Sequence, residues 1–129
     1  MKIENHLESY KEHKETIFDW ALKIKGLKNS QRVIGTHASR AIVDLLAVFL
    51  LKRSLIDPGT QINHRWFKSK RVVEKLPEFE NKEEICEDMI KLELLSEDLT
   101  YGSPKPENKI KEAILLFNKI ESKLKNGET

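Results

Sequence analysis

Three ionisable side chains, His37, Arg40 and Asp44, recur at three- and four-residue steps within the segment Arg32-Val-Ile-Gly-Thr-His-Ala-Ser-Arg-Ala-Ile-Val-Asp44. At about 100° per helical residue they fall within about 60° of one another and form one stripe. Imidazole, guanidinium and carboxylate are the groups that proton transfer beside a phosphate requires. A His can exchange a proton with a ribose 2′-hydroxyl or a leaving oxygen, and an Arg can hold the phosphate and its developing charge. In that reading His37 moves the proton, Arg32 or Arg40 holds the phosphate, and Asp44 supports them. Arg32 and His37 lie about 140° apart around a helix. They converge only across a dimer, or if Arg32 sits in a less regular first turn. The structural alternative is an i,i+4 ion pair between Arg40 and Asp44, with His37 at the boundary of the core.

A second candidate is the run His64-Arg65-Trp66-Phe67-Lys68-Ser69-Lys70-Arg71, with four fixed positive charges and two large aromatics. Single-stranded nucleic acid is bound by that combination, cations following phosphates while aromatic faces stack on bases. His64, Arg65, Trp66, Lys68, Lys70 and Arg71 are the candidate contacts. The alternative is that Trp66 and Phe67 plug a corner of the fold while the cations stay solvated. One aromatic is expected to face inward in either case.

Other groups read more plainly. Glu78, Glu80, Glu83, Glu84, Glu87 and Asp88 have no neighbouring His in the sequence and suit the start of a helix. They could also pair with the basic run just before them. Tyr101 precedes Gly102 at a helix end, where its hydroxyl could support a polar site. The single cysteine, Cys86, rules out an intrachain disulfide and reads as a small apolar filler.

These groups must be held by helices. The chain has 129 residues, enough for one core, and 34% of them are charged with only 5 Gly and 4 Pro, a helix-rich balance. Net charge is +2, so only the distribution of charge can point to a partner. Five segments show helical periodicity. The first carries Ile3, Leu7, Tyr10, Ile17, Ala21 and Ile24, interrupted by Lys14, widened by Phe18 and Trp20 and capped by Gly26. The second starts at Asn29 or Ser30 and runs to about Ser54, with Ile42, Leu45, Leu46 and Phe49 opposite the polar stripe. Asp57-Pro58-Gly59 makes a turn, and Asn63 caps a short third helix ended by Leu76-Pro77. Asn81 and Glu84 resemble a capping box for the fourth, with Ile85, Met89, Leu92, Leu95 and Leu99 on its apolar face. Pro106 suits the first turn of the fifth, striped by Ile110, Ala113, Ile114, Phe117, Ile120 and Leu124. Residues 126–129 read as a frayed tail. The expectation is an all-α, antiparallel bundle of about five helices forming one domain over residues 1–129. The longest apolar run, Ala41 to Leu51, is short for a membrane span and contains Asp44. With no signal peptide in the first residues, a cytoplasmic location is expected.

The order of elements resembles a HEPN domain, the higher eukaryote and prokaryote nucleotide-binding fold. The resemblance rests on the long second helix with its Ala-rich, Arg-containing stripe, the short corner helix, and a fourth helix ending in Leu99-Thr-Tyr101-Gly102 before a Pro-led fifth. It implies a HEPN-like homodimer. It further implies one of three roles: a metal-independent endoribonuclease of toxin type using Arg-x(4–6)-His at the dimer interface, a partner of a minimal nucleotidyltransferase, or a non-catalytic binding module. Arg32 and His37 match the bare motif. Val33 stands where the family usually has a polar residue, and the pair opens helix two, whereas the family motif usually falls later. There this chain has Ser96 and Tyr101. The expected function is therefore a non-catalytic nucleic-acid- or nucleotide-binding module, without a cofactor or metal. In the homodimer, Ala38, Ala41 and Ala47 would let helices approach.

Overall fold

A computed structural model describes residues 1–126. Its elements are α1 (Ile3–Glu15), continued as a π-helix over Thr16–Lys25, then α2 (Gln31–Lys52), a 3-10 turn (His64–Lys68), α3 (Val72–Lys75), α4 (Lys82–Tyr101) and α5 (Glu107–Asn126). Among the described residues there is no strand. Of the tail expected to fray, Asn126 ends α5 and residues 127–129 lie outside the described part.

Side-chain pairing fixes the helix directions. His6 meets Asp44 while His13 meets His37, so α1 and α2 are antiparallel. Lys123 reaches Glu84 and Lys119 reaches Asp88, so α4 and α5 are antiparallel too. Phe49 meets Phe79 edge to face just before α4, and Gln31 bonds the carbonyl of Leu99 at the other end, which runs α2 against α4. The bundle is all-α and antiparallel, with α2 at its centre. Ile34, Ala41, Leu46, Val48 and Leu50 of that helix are all but sealed from solvent. By length and composition Lys28–Lys52 could cross a membrane, and 67% of its most apolar window is buried inside the bundle.

Several local expectations need correction. The first apolar stripe does not run straight through: Ile24 is 70% exposed and Trp20 46%, while Ile17 and Ala21 are buried. Beyond Thr16 the backbone winds with i→i+5 bonds, which rotates later side chains off the α-helical seam. Gly26 ends this segment at φ 82, a conformation that suits glycine. The second helix ends at Lys52, two residues early, with Ser54 at φ 57. The third helix is split into the 3-10 turn and the short α3. Asn63 does cap the turn, accepting from the Arg65 amide at 2.8 Å. Asn81 makes no capping bond: its backbone is left-handed (φ 62), where a capping residue is ordinarily extended. The acidic block pairs with α5 through Lys119 and Lys123, rather than with the basic run.

Two tight fits position the later site. Gln31 spans the bundle end, donating to Leu99 and Ser103 carbonyls at 3.2 and 3.1 Å and accepting from the Lys105 amide at 2.7 Å. A Cβ placed on Gly35 would meet the backbone nitrogen of Thr100 at 2.7 Å and the carbonyl oxygen of Ser96 at 2.8 Å. Only glycine lets α2 and α4 cross this closely.

Candidate functional site: a histidine and arginine cluster on helix two

The polar stripe of α2 is met by a matching stripe of α1. Asp44 Oδ1 lies 2.8 Å from His6 Nδ1, and Asp44 Oδ2 accepts from the Ser9 hydroxyl at 2.6 Å. His13 Nε2 lies 3.9 Å from the same Oδ2, close enough for attraction and too far for a hydrogen bond. His13 Nδ1 then lies 2.8 Å from His37 Nδ1. Arg40 turns to the carbonyl of Thr36 on its own helix, so the i,i+4 pair with Asp44 does not form. The partner of Asp44 is helix one. His6, Ser9 and His13, spaced i, i+3 and i+7, were legible as a polar line beside the first apolar stripe, but nothing in the sequence set that line against α2.

This chain of contacts has a definite protonation logic. Only one proton fits between two ring nitrogens 2.8 Å apart. The attraction of Asp44 favours a proton on His13 Nε2, so His13 Nδ1 accepts from His37 Nδ1. That leaves the outer His37 Nε2 with a free lone pair. Burial lowers the pKa of His13, the Arg40 charge adds to this, and Asp44 and Glu12 oppose it. Burial also lowers that of His37, helped by the His13 and Arg40 charges. Both shifts favour the neutral form of each ring near pH 7. Among the described residues no three His, Cys, Asp or Glu side chains are placed to share a metal ion.

The basic corner lies beside this cluster. Arg40, His64 and Arg65 line both of two adjoining clefts. One also takes in His13 and Asp44, and the other runs between α2 and α4 past Ser39, Glu93, Ser96 and Tyr101. His64 is held by the buried Glu93, its Nδ1 at 2.8 and 3.1 Å from the two carboxylate oxygens. Lys68 pairs with Glu97 at 2.8 Å. Arg40, Arg65, Lys70 and Arg71 have no carboxylate partner among the described residues, and Arg65, Lys70 and Arg71 are exposed. Phe67 is buried and Trp66 half-buried against the core, with the Lys75 ammonium 4.8 Å above the Trp66 ring. Tyr101 is 81% exposed at the mouth of the second cleft. Arg32 is exposed in a separate groove with Lys25 and Lys28. Cys86 is buried, and burial pushes its thiol pKa up, which suits a core filler.

Sequence reasoning missed Glu93 and Ser39. A glutamate on the face of α4 that carries Met89 and Ser96 was the one available signal, since such a buried acid requires a partner. Comparison of the chain with protein-family models, with curated proteins and with solved structures finds no match.

Proposed function

We propose that this chain is a HEPN-like, cytoplasmic and homodimeric module that binds single-stranded nucleic acid at the corner joining α2 to the 3-10 turn. One observation carries the reading. Arg40 and Arg65 line both adjoining clefts, and neither is neutralised by a carboxylate. Lys70 and Arg71 extend the same charge along the exposed corner. Unpaired guanidinium groups in neighbouring clefts suit successive phosphates, while a corner already satisfied by internal ion pairs would not. Trp66 offers a partial face beside them, shared with Lys75. The test is fluorescence anisotropy with a labelled single-stranded RNA at two salt concentrations. Binding that weakens steeply with salt supports the reading. No binding at either salt removes it and leaves an interaction subunit, with a nucleotidyltransferase as the partner to seek.

The His13–His37 pair favours a second reading, metal-independent cleavage of the bound strand. Here His37 Nε2 takes the 2′-hydroxyl proton, the 2′-oxygen bonds to the adjacent phosphorus to give a 2′,3′-cyclic phosphate, and the displaced 5′-oxygen leaves with a proton from water, while Arg40 holds the phosphate as charge builds on its oxygens. Cleavage that persists in chelator and disappears in His37→Ala, with RNA still bound, selects this reading. An intact strand on the gel removes it.

A further inference from the structure

The cleft between α2 and α4 has a built interior that the open corner lacks. Its volume is about 180 Å³. One water needs roughly 10–15 Å³ on this measure, so there is room for a phosphate and an attached sugar but not for a duplex. Ser96, 2% exposed, lines it. Its hydroxyl is the one buried side-chain polar atom among the described residues with no hydrogen-bond partner. Buried hydroxyls are ordinarily satisfied, and an orphan beside a cleft points to what the cleft receives. The two acids that line it already have partners, Glu93 a hydrogen bond with His64 and Glu97 an ion pair with Lys68. Arg40 and Arg65 line it with no carboxylate partner among the described residues. Gly35, Ser96 and Thr100, where α2 and α4 cross most closely, form part of its wall.

We infer that this cleft seats a phosphomonoester, the terminal phosphate of a strand lying on the basic corner. Two guanidinium groups match the dianion of a monoester better than the single charge of an internal diester. The Ser96 hydroxyl gains its missing partner from a phosphate oxygen, and the small volume suits a terminal phosphate with its sugar. The inference rests on the proposed nucleic-acid interface and adds end selection to it.

The experiment compares three otherwise identical ten-nucleotide single-stranded RNAs by anisotropy at one salt concentration: 5′-phosphorylated, 3′-phosphorylated and hydroxyl-ended. One phosphorylated form is expected to bind five- to tenfold tighter than the hydroxyl-ended strand. Ser96→Ala is expected to cut that ratio about fivefold, the worth of one hydrogen bond. Equal affinity for all three ends overturns the seat and leaves the interface standing. If no strand binds, the interface fails, and inorganic phosphate titrated into the ¹⁵N-labelled protein decides the seat alone. Movement of the Ser96 and Arg65 amide signals, absent with chloride at matched ionic strength, upholds a free-phosphate site. Unmoved signals overturn it.

Discussion

His13 and His37 face each other Nδ1 to Nδ1 at 2.8 Å across the seam between α1 and α2. The contact survives only while at most one of the rings is charged. Both folded pKa values are lowered, chiefly by burial, below the ordinary His value of 6.5. The unfolded chain therefore takes up protons first. Stability is complete above about pH 6.5 and falls as pH drops through that value toward the folded pKa values. The unfolding midpoint in urea is expected to decline between pH 7.5 and 5.5. In a His13→Gln/His37→Gln variant that decline should be visibly shallower. Equal slopes would show that the pair is not the acid-sensitive element.

Tyr10 and Glu121 tie α1 to α5 and give the opposite edge of the pH range. The Tyr10 hydroxyl donates to the Glu121 carboxylate, and Lys14 pairs with the same carboxylate at 2.8 Å. Burial, then the Glu121 bond and charge, push the Tyr10 pKa far above its usual 10. Stability is thus lost as pH rises above about 10, where the unfolded phenol ionises and the folded one does not. For Glu121, burial acts upward but bonds from Lys14 and Tyr10 outweigh it, and the pKa is lowered. Its contribution is present above the unfolded carboxylate value and is lost as pH falls through the folded one. Tyr10→Phe should cost about 1.5 kcal/mol at pH 7 in urea unfolding and should remove the loss above pH 10. A variant that keeps the alkaline loss would assign it to another group.

The helices were legible because apolar residues at three- and four-residue steps, with glycine and proline between them, leave few other ways to bury a core. Ile110, Phe117 and Ile120 fall where the stripe of α5 put them. Ile24 did not, because the period itself changes at Thr16, and no single residue type announces a switch to i→i+5 bonding. The site was half legible. The α2 stripe, Arg65 and Lys68 could be read from type and spacing. Their partners could not, since His6, Ser9, His13 and Glu93 acquire meaning only when α1 and α4 pack on α2. Arg32 and His37 satisfied a motif in one dimension and line different surfaces in three.

Salt dependence separates phosphate contacts from packing. Each phosphate neutralised on a single strand contributes about 0.7 to the slope of log affinity against log salt. Lys70 and Arg71 are exposed and bind no carboxylate among the described residues. Lys70→Ala/Arg71→Ala should lower the slope by about 1.4 and leave the unfolding midpoint within about 0.5 kcal/mol of the parent. An unchanged slope would move the interface away from this corner.

Ser96 predicts a gain in stability where binding is lost. Its buried hydroxyl has no partner among the described residues, and such a group costs about 1–3 kcal/mol. Ala also favours a helix interior more than Ser does. Ser96→Ala should raise stability by about 1 kcal/mol in urea unfolding. A loss instead would mean that the hydroxyl is satisfied in solution.

Gly35 tests the close crossing that shapes the same cleft. An added Cβ would lie 2.6 Å from the Thr100 hydroxyl, which can rotate away. It would also lie 2.7 Å from the Thr100 nitrogen and 2.8 Å from the Ser96 carbonyl oxygen, which cannot move unless α4 moves. The gain in helix propensity from Gly to Ala is about 1 kcal/mol, and forced separation of two packed helices costs more, about 1–3 kcal/mol. Gly35→Ala is therefore expected to destabilise the bundle by up to about 2 kcal/mol and to erase any preference for a phosphorylated end. Gly59→Ala is the control: its Cβ would meet only the Asp57 Oδ1 atom, at 3.4 Å, in an exposed turn. Urea midpoints should drop for Gly35→Ala and stay near the parent for Gly59→Ala. Equal midpoints for the two variants would show that α2 and α4 do not touch at Gly35, and that wall of the cleft would go with that contact.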